Sequence, residues 1–223
     1  LVAPRHAASL ARGAGPAGRG PWPLPPMGST GYGPAMTLLG PLGGLAGEWE
    51  GDQGLDVSFH HDVGEVVETP YREVATFKPF GPVENGRQVL YGLDYKSAMW
   101  RGDEVDPFHT ELGYWLWDAG SDQVMRAFVI PRGSAILAGG TAAADATTFT
   151  LAADSDGADY GMATNPYLDA NAKCVHYEVT ITVDGDTFSY EEDSVLAMSN
   201  LPDLLHHTDV NTLRRTVAYQ LEV

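Results

Sequence analysis

Two adjacent histidines, His206 and His207, stand near the C-terminal end of the chain, directly before a strand-like segment. A neutral imidazole is a common ligand for a transition metal or a haem iron, and a single protein ligand leaves the opposite face of the iron open. The nearby Asp209 is a carboxylate that could orient an imidazole through its second ring nitrogen. An adjacent pair is more often two solvated side chains, so the spacing alone does not establish a ligand.

Three other polar residues in the middle of the chain could take part in chemistry. His109 and Glu111 are two residues apart in a strand-like run, so they share one face and could form an acid–base pair for a small organic substrate. A hydrogen-bonded structural pair is the alternative. Arg132 lies between Pro131 and Gly133, on a predicted turn, where its guanidinium could meet a carboxylate or remain solvated.

Two further groups are weaker candidates. His60 and His61 fall within a polar, glycine-containing stretch from Asp52 to Glu68 that we interpret as a long loop, where a histidine pair is usually solvated. Cys174 is the only cysteine, and its strand-like surroundings favour a small core residue. A disulfide within the chain is therefore excluded, which fits a reducing cytoplasm.

The charge balance limits the classes of partner. The 223 residues contain 13 basic and 30 acidic side chains, which gives a net charge of −17. This argues against binding to nucleic acid or docking on an anionic membrane, because both need a basic surface. The sequence also lacks the ~20-residue apolar run of a membrane span and the apolar core of a signal peptide. We therefore expect a cytoplasmic protein, either a monomer or a homodimer.

The N-terminal segment, residues 1–36, has a different composition from the rest. It is dominated by Ala, Gly and Pro, and it has three arginines and no acidic residue, so the remainder carries a net charge of −20. A segment with so little apolar surface cannot offset its ordering entropy, which predicts a disordered tail. Met27 and Met36 are plausible initiators, so part of the tail could be vector-derived or an over-extended start. Residues 37–223 are predicted to form the folded domain.

Alternation of apolar and polar residues with a period of two recurs along that domain. It is clearest at 71–78, 89–95 and 175–183, and the turn signals Asn85-Gly86 and Asp184-Gly185 follow such segments. About ten such strands occur at short spacing. This predicts an all-β fold, best satisfied by a ten-stranded antiparallel up-and-down barrel, because closure removes the sheet edges. A β-sandwich is the alternative.

Three short segments interrupt the strands. Leu38–Ala46 is predicted to form a helical lid or plug, 165–172 a short helical turn, and 201–205 a brief helix-like turn before the histidine pair. The final strand is expected over 213–221. A barrel of this strand number has an interior large enough for a ligand.

The order of several motifs resembles the nitrobindin family, over about residues 38–218. The motifs are Gly47-Glu48-Trp49-Glu50-Gly51 near the start, the run from Phe108 to Tyr114 midway, the hairpin from Asp184 to Tyr190, and the closing histidine-containing segment. The chain departs from the family at Gln53, where a third glycine is usual, and in the longer stretch that follows. The spacing from the histidines to the next strand also differs by one residue.

The resemblance implies a ten-stranded barrel that holds one haem b in an open cleft, with a histidine near the C-terminus on the iron. It makes His207 the first candidate for that ligand, His206 the second, and Arg132 a partner for a haem propionate. It further implies a ferric iron that binds nitric oxide or isomerises peroxynitrite to nitrate. Two alternatives remain: a haem-free carrier of a fatty acid or other apolar molecule, and an enzyme that uses His109 and Glu111.

Overall fold

The computed structural model describes residues 38–222 of the chain. The predicted tail, residues 1–36, lies outside the described residues. Eleven strands and two short helices form the described part. The strands are β1 Gly47–His60, β2 Glu65–Asn85, β3 Gln88–Trp100, β4 His109–Asp118, β5 Gln123–Ile130, β6 Ser134–Thr141, β7 Thr148–Asp154, β8 Gly161–Thr164, β9 Ala172–Asp184, β10 Thr187–Met198 and β11 Leu205–Ala218. A 3-10 helix spans Gly40–Leu45, and helix α1 spans Pro166–Asn171.

The strands close into a barrel in the order β1-β11-β10-β9-β7-β8-β6-β5-β4-β3-β2, with β2 returning to β1. Nearly all neighbours are antiparallel, as predicted; the exception is one short parallel pairing between β7 and β8. The all-β barrel is therefore confirmed, with eleven strands instead of about ten. The additional strand is β8, whose four residues lie in a stretch too short and too poor in β-branched residues to show alternation.

Two segments differ from their sequence interpretation. The stretch from Asp52 to Glu68 is no loop, because β1 and β2 continue through it and pair as far as His60 with Glu65. The predicted helix-like turn at 201–205 is absent, and β11 already begins at Leu205. His206 and His207 are therefore strand residues that pair with β10. Hydrogen bonds to neighbouring strands stabilise these polar segments in spite of their weak intrinsic preference.

The alternation on β2 is confirmed by burial. Tyr71, Glu73, Ala75 and Phe77 point into the barrel and are all at most 3% exposed. Two-residue turns join β2 to β3 and β9 to β10, and Gly86 and Gly185 adopt the positive φ that such tight turns require. Helix α1, at the predicted place, begins with Asn165 as its N-cap, whose side chain accepts hydrogen bonds from two backbone N–H groups.

The 3-10 helix closes one end of the barrel, and we call it the plug. Leu42 and Leu45 of the plug are fully buried, and Gly40 packs so closely on the Trp117 ring that no side chain would fit there. Arg215 holds the plug from β11 by donating to the carbonyls of Ala46 (2.7 Å) and Gly44 (2.8 Å). The plug and the aromatic residues above it form the apolar core at this end.

No helix within residues 38–222 is long and apolar enough to cross a membrane.

Candidate functional site

A cavity of about 620 Å³ occupies the barrel interior away from the plug. Hairpins, the 101–108 loop and helix α1 surround its mouth. Side chains from most strands line it, which is expected where inward-facing residues of a wide barrel do not fill the interior. The cavity has two levels: a largely apolar mouth and, beneath it, a polar floor of carboxylates, tyrosines and one arginine.

The two adjacent histidines point in opposite directions, because successive side chains of a strand alternate. His207 lines the cavity, whereas His206 faces solvent, with 63% of its side chain exposed, and contacts Asp193 at 2.6 Å. The structure therefore separates the two candidates and brings only His207 to the interior.

His207 is held by a residue that the sequence interpretation missed. Its Nε2 atom lies 2.9 Å from Oδ2 of Asp56 on β1. Burial works against the charged form of Asp56, but hydrogen bonds from His207 and Ser58 outweigh it, so the pKa of this carboxyl lies below its usual value. An ionised Asp56 accepts the proton on Nε2 and fixes the tautomer of the imidazole. Within residues 38–222, Nδ1 of His207 makes no hydrogen bond.

Asp209 does not orient His207, although the sequence suggested it. It lies on the same face of β11, two residues further along the strand and deeper in the barrel, and accepts a hydrogen bond from the Tyr71 hydroxyl. Burial raises the pKa of Asp209 to about 9. Asp56 escaped notice because its segment was interpreted as a loop. Strict alternation counted along β1 from Trp49 would also place Asp56 on the outer face; the register irregularity between Gly51 and Gly54 turns it inward.

Apolar side chains form the walls of the mouth: Met99, Phe108, Ile130, Met162, Met198 and Leu205. Three cations stand at its rim. Arg101 stacks on the Phe108 ring at 4.2 Å, and Lys173 pairs with Asp169 at 3.2 Å. Arg132 is exposed at the β5–β6 turn and lines the cavity, and no carboxylate of the described residues pairs with it.

His109 and Glu111 come together as the sequence predicted, with 3.4 Å between Nε2 and Oε1. Glu111, however, forms a buried ion pair with Arg126 and also accepts from the Tyr95 hydroxyl at 2.6 Å. Burial alone would raise the pKa of Glu111, but the charge of Arg126 and the hydrogen bond from His109 lower it to about 2. In return Glu111 raises the pKa of His109, against the effect of burial. The pair is one edge of a larger network.

Arg126 is the centre of that network, and the sequence interpretation missed it. Arg126 is 4% exposed, and its guanidinium contacts Glu111 and Glu192 and lies over the Phe128 ring at 4.2 Å. Nη1 also donates to the Tyr177 hydroxyl. Arg126 stands between Val124 and Phe128 at an inward position of β5, and this charge within an apolar period was the available signal.

A second network surrounds Glu73 on the neighbouring wall. Its carboxyl accepts hydrogen bonds from Ser97 (2.6 Å), Tyr190 (2.9 Å) and Asn211 (2.9 Å). Complete burial outweighs these donors, so the pKa of Glu73 is raised. The Tyr190 and Tyr71 hydroxyls lie 2.7 Å apart. They connect Glu73 to Asp209, which lies deeper in the barrel than His207.

The remaining polar candidates lie at the edges of the cavity. His60 ends β1 and His61 begins the following turn, and both line the mouth. Among residues 38–222, no three histidine, cysteine or acidic side chains are grouped so that they could hold a metal ion by themselves. Cys174 also lines the cavity, and burial raises the pKa of its thiol to about 11, which keeps it protonated and poorly reactive.

Comparison with known proteins gave two findings. A protein from M. tuberculosis, Rv2717c, has a similar solved structure, with 21% sequence identity and a TM-score of 0.56; the match covers 82% of this chain and 98% of that chain. At this identity the likeness shows the fold alone. A search of curated protein sequences gave no match.

The family comparison is more specific. The model of the family described as "THAP4-like, heme-binding beta-barrel domain" matches residues 38–215, which is nearly the whole described barrel, from the plug to Arg215. The resemblance to the nitrobindin family is thereby confirmed. The chain belongs to the family of THAP4-like haem-binding β-barrel domains.

Proposed function

We propose that this chain binds one ferric haem b at the mouth of its barrel with His207 as the iron ligand, and that it binds nitric oxide or isomerises peroxynitrite to nitrate. The observation that carries the proposal is the orientation of His207. It is the histidine of the adjacent pair that faces the cavity of a barrel whose family is haem-binding.

The chemistry of the mouth fits a haem. Asp56 holds one nitrogen of His207 as a donor, so the lone pair of the neutral imidazole is on the other nitrogen, which makes no hydrogen bond within residues 38–222. Metal-bound histidines are usually oriented in this way by a carboxylate on the second nitrogen. The donor set therefore supports one protein ligand with a fixed ring orientation.

The walls fit the two kinds of surface that a haem presents. Met99, Met198 and Leu205 offer apolar contact to the macrocycle, and the rim cation Arg132 offers a partner for a propionate. Because Arg132 is exposed, its contribution to affinity is small, whereas burial of the macrocycle against the apolar walls supplies most of the binding energy.

When bound, a ferric haem would supply an electrophilic iron that could take nitric oxide or peroxynitrite as a ligand. The chain's own residues set the polarity of the cavity in which such a ligand would lie. His109 is a protonatable donor at the cavity surface, and Glu111 raises its pKa, which favours the form that can stabilise an oxyanion. The polarity of such a wall determines whether a small ligand is merely bound or converted.

The two alternative functions receive less support. A carrier of fatty acids would place an apolar chain or its carboxylate against a floor that already contains Glu111, Glu192 and Glu73. An enzyme that used Glu111 as a base would need a carboxyl with a pKa near the working pH, whereas Arg126 and His109 hold this one at about 2.

The test is a titration of the purified chain with haemin, followed by absorption spectroscopy. Wild type and His206→Ala should give the same Soret band, and His207→Ala should lose it or bind at least tenfold more weakly. Equal spectra for both substitutions would refute His207 as the ligand. The haem-loaded protein is then mixed with peroxynitrite: faster formation of nitrate than with His207→Ala supports isomerisation, and equal rates leave nitric oxide binding, measured by the same spectra, as the proposed activity.

A further inference from the structure

The three cations at the rim of the cavity differ in their surroundings. Lys173 pairs with Asp169 at 3.2 Å, and Arg132 is exposed at its turn. Arg101, which directly follows β3, lines the cavity and is only partly exposed. Among residues 38–222, no carboxylate forms an ion pair with it. Arg101 is therefore the rim cation that is both partly removed from water and without a partner in the described chain.

The guanidinium of Arg101 is held in place before any ligand arrives. It lies over the Phe108 ring, with 4.2 Å from Cζ to the ring centre, and Phe108 in turn packs edge-on against Tyr71 with 5.9 Å between ring centroids. Stacking on an aromatic ring fixes the plane of an arginine side chain. Binding of a carboxylate to this arginine therefore costs little side-chain entropy.

The hydrogen-bonding capacity of Arg101 is unused within the described chain. Its Nε atom is buried, and no acceptor among residues 38–222 receives its proton. A guanidinium presents its N–H donors in a planar fork that matches the two oxygens of a carboxylate. Because buried N–H groups in folded proteins normally have a partner, the donors of Arg101 are suited to an acceptor that comes from outside the chain.

The cavity around Arg101 is otherwise unfavourable for an anion. The carboxylates of Asp56, Glu111 and Glu192 line it, so an anionic group is repelled unless a cation stands beside it. Burial opposes the ionisation of Asp56, and the charge of Arg101 is among the effects that nevertheless keep the pKa of this carboxyl low, after the hydrogen bond from His207. Arg101 thus lies near the Asp56–His207 pair, where it can offset the repulsion of an anionic group.

We propose that Arg101 binds a propionate carboxylate of the haem and so selects ligands that carry an anionic group at the edge of an apolar ring system. This inference rests on the proposed haem site and deepens it. Met99, two residues before Arg101, and Phe108 are apolar walls of the mouth, so an apolar ring and its carboxylate meet adjoining surfaces. A fatty acid presents the same carboxylate, and its binding is therefore measured separately.

The first test uses protoporphyrin IX, which carries both propionates but no iron, and its dimethyl ester, which lacks the two charges. His207 has no metal to bind in either molecule, so the result does not depend on the iron ligand. Fluorescence titration of the full-length chain gives the ratio of the two affinities. Arg101→Gln should lower this ratio about five- to tenfold relative to the wild type, which lies between the effects of an exposed ion pair and of a hydrogen bond to a charged group.

Three further variants separate the charge of Arg101 from its packing. Arg72→Gln is the matched control and should leave the ratio unchanged, because Arg72 stacks on Trp100 at 4.3 Å but is exposed and does not line the cavity. Arg101→Lys keeps the charge without the planar fork, so it should retain part of the ratio and lose it more readily in salt. Phe108→Leu removes the stack but keeps an apolar wall, and should lower the ratio about two- to fivefold. Circular dichroism verifies that each variant is folded.

The role of Arg101 is overturned if Arg101→Gln has the same ratio as the wild type, or if Arg72→Gln lowers the ratio equally. Weaker binding of palmitate to Arg101→Gln, without a change in the porphyrin ratio, would assign this residue to a fatty-acid carboxylate and would also overturn the proposal. In these cases the binding of porphyrin to the barrel still stands. A wild-type chain that binds neither haemin nor protoporphyrin IX would instead refute the proposed haem site, and this inference with it.

Discussion

Nε2 of His207 lies 2.9 Å from Oδ2 of Asp56, so a side-chain hydrogen bond joins the last strand of the barrel to the first at the mouth. The two residues are 151 positions apart in sequence and become neighbours only because β1 pairs with β11 when the barrel closes. Closure of the fold and orientation of the candidate iron ligand thus depend on the same pair of strands.

Asp56→Asn should weaken haem binding by about 10–100-fold, because the amide no longer stabilises the tautomer and ring orientation of His207. Haemin titration of the folded variant measures the loss. The matched control is Asp193→Asn, which removes the carboxylate that contacts the solvent-facing His206. If both variants bind haem as the wild type does, Asp56 does not position the ligand.

Glu111→Gln should lower the free energy of unfolding by about 3–5 kcal/mol, because it removes the buried carboxylate that pairs with Arg126. Urea unfolding at neutral pH measures this change. Glu191→Gln, on the exposed side of β10, serves as the control and should stay within about 0.5 kcal/mol. A small effect of Glu111→Gln would mean that Glu192 alone compensates Arg126.

The same carboxyl predicts how acid affects the barrel. The pKa of Glu111 is about 2 in the folded chain and 4.5 as its ordinary value. Its stabilisation is therefore fully present above pH 4.5 and is lost as the pH falls toward 2. Between pH 5 and 2, the free energy of unfolding should fall less steeply for Glu111→Gln than for the wild type. An equal fall in the two proteins would contradict the pKa assigned to this residue.

The pKa shift of Glu73 has the opposite effect on the pH dependence of stability from that of Glu111. Because burial raises its pKa above 4.5, the folded chain retains this proton at a pH where the unfolded chain has lost it. Its contribution to stability therefore declines as the pH rises from 4.5 toward the folded pKa. Glu73→Gln keeps the shape of the side chain and should flatten the decline of stability above pH 4.5. The free energy of unfolding at several pH values tests this, and an unchanged slope would show that Glu73 is ionised in the fold.

Arg215→Lys should loosen the plug, since lysine cannot donate to Ala46 and Gly44 at once while it lies over the Trp49 ring. We expect a loss of about 1–3 kcal/mol and faster hydrogen exchange of the backbone near Ala46. Arg214→Lys, on the outward side of the same strand, is the control. Equal exchange in the two variants would exclude Arg215 as the anchor of the plug.

The sequence predicts the barrel well because the inward positions of its central strands are regular. The period of two at Tyr71, Glu73, Ala75 and Phe77 already implied one buried face, and the structure buries all four. Prediction was poorer where hydrogen bonding to neighbouring strands outweighs the intrinsic preference of the residues, as in the polar end of β1 and the short β8. A register irregularity between Gly51 and Gly54 lies at the departure from the family motif at Gln53.

The candidate site was predictable in part. Chemistry and resemblance indicated His207, but its partner Asp56 and the buried Arg126 depend on contacts between strands distant in sequence. Arg126 contacts Glu192, 66 residues later in the chain, and only the order of strands brings them together. Spacing along one strand contains no information of that kind, whereas His109 and Glu111, two residues apart, were identified as a pair.

The plug closes the barrel at the end opposite the mouth. A small molecule that enters the cavity has to leave through the mouth by which it came, past whatever occupies the site at His207. A molecule deep in the cavity could then leave only after the molecule at the mouth had dissociated. A tightly bound molecule at the mouth would therefore set the residence time of any molecule bound more deeply.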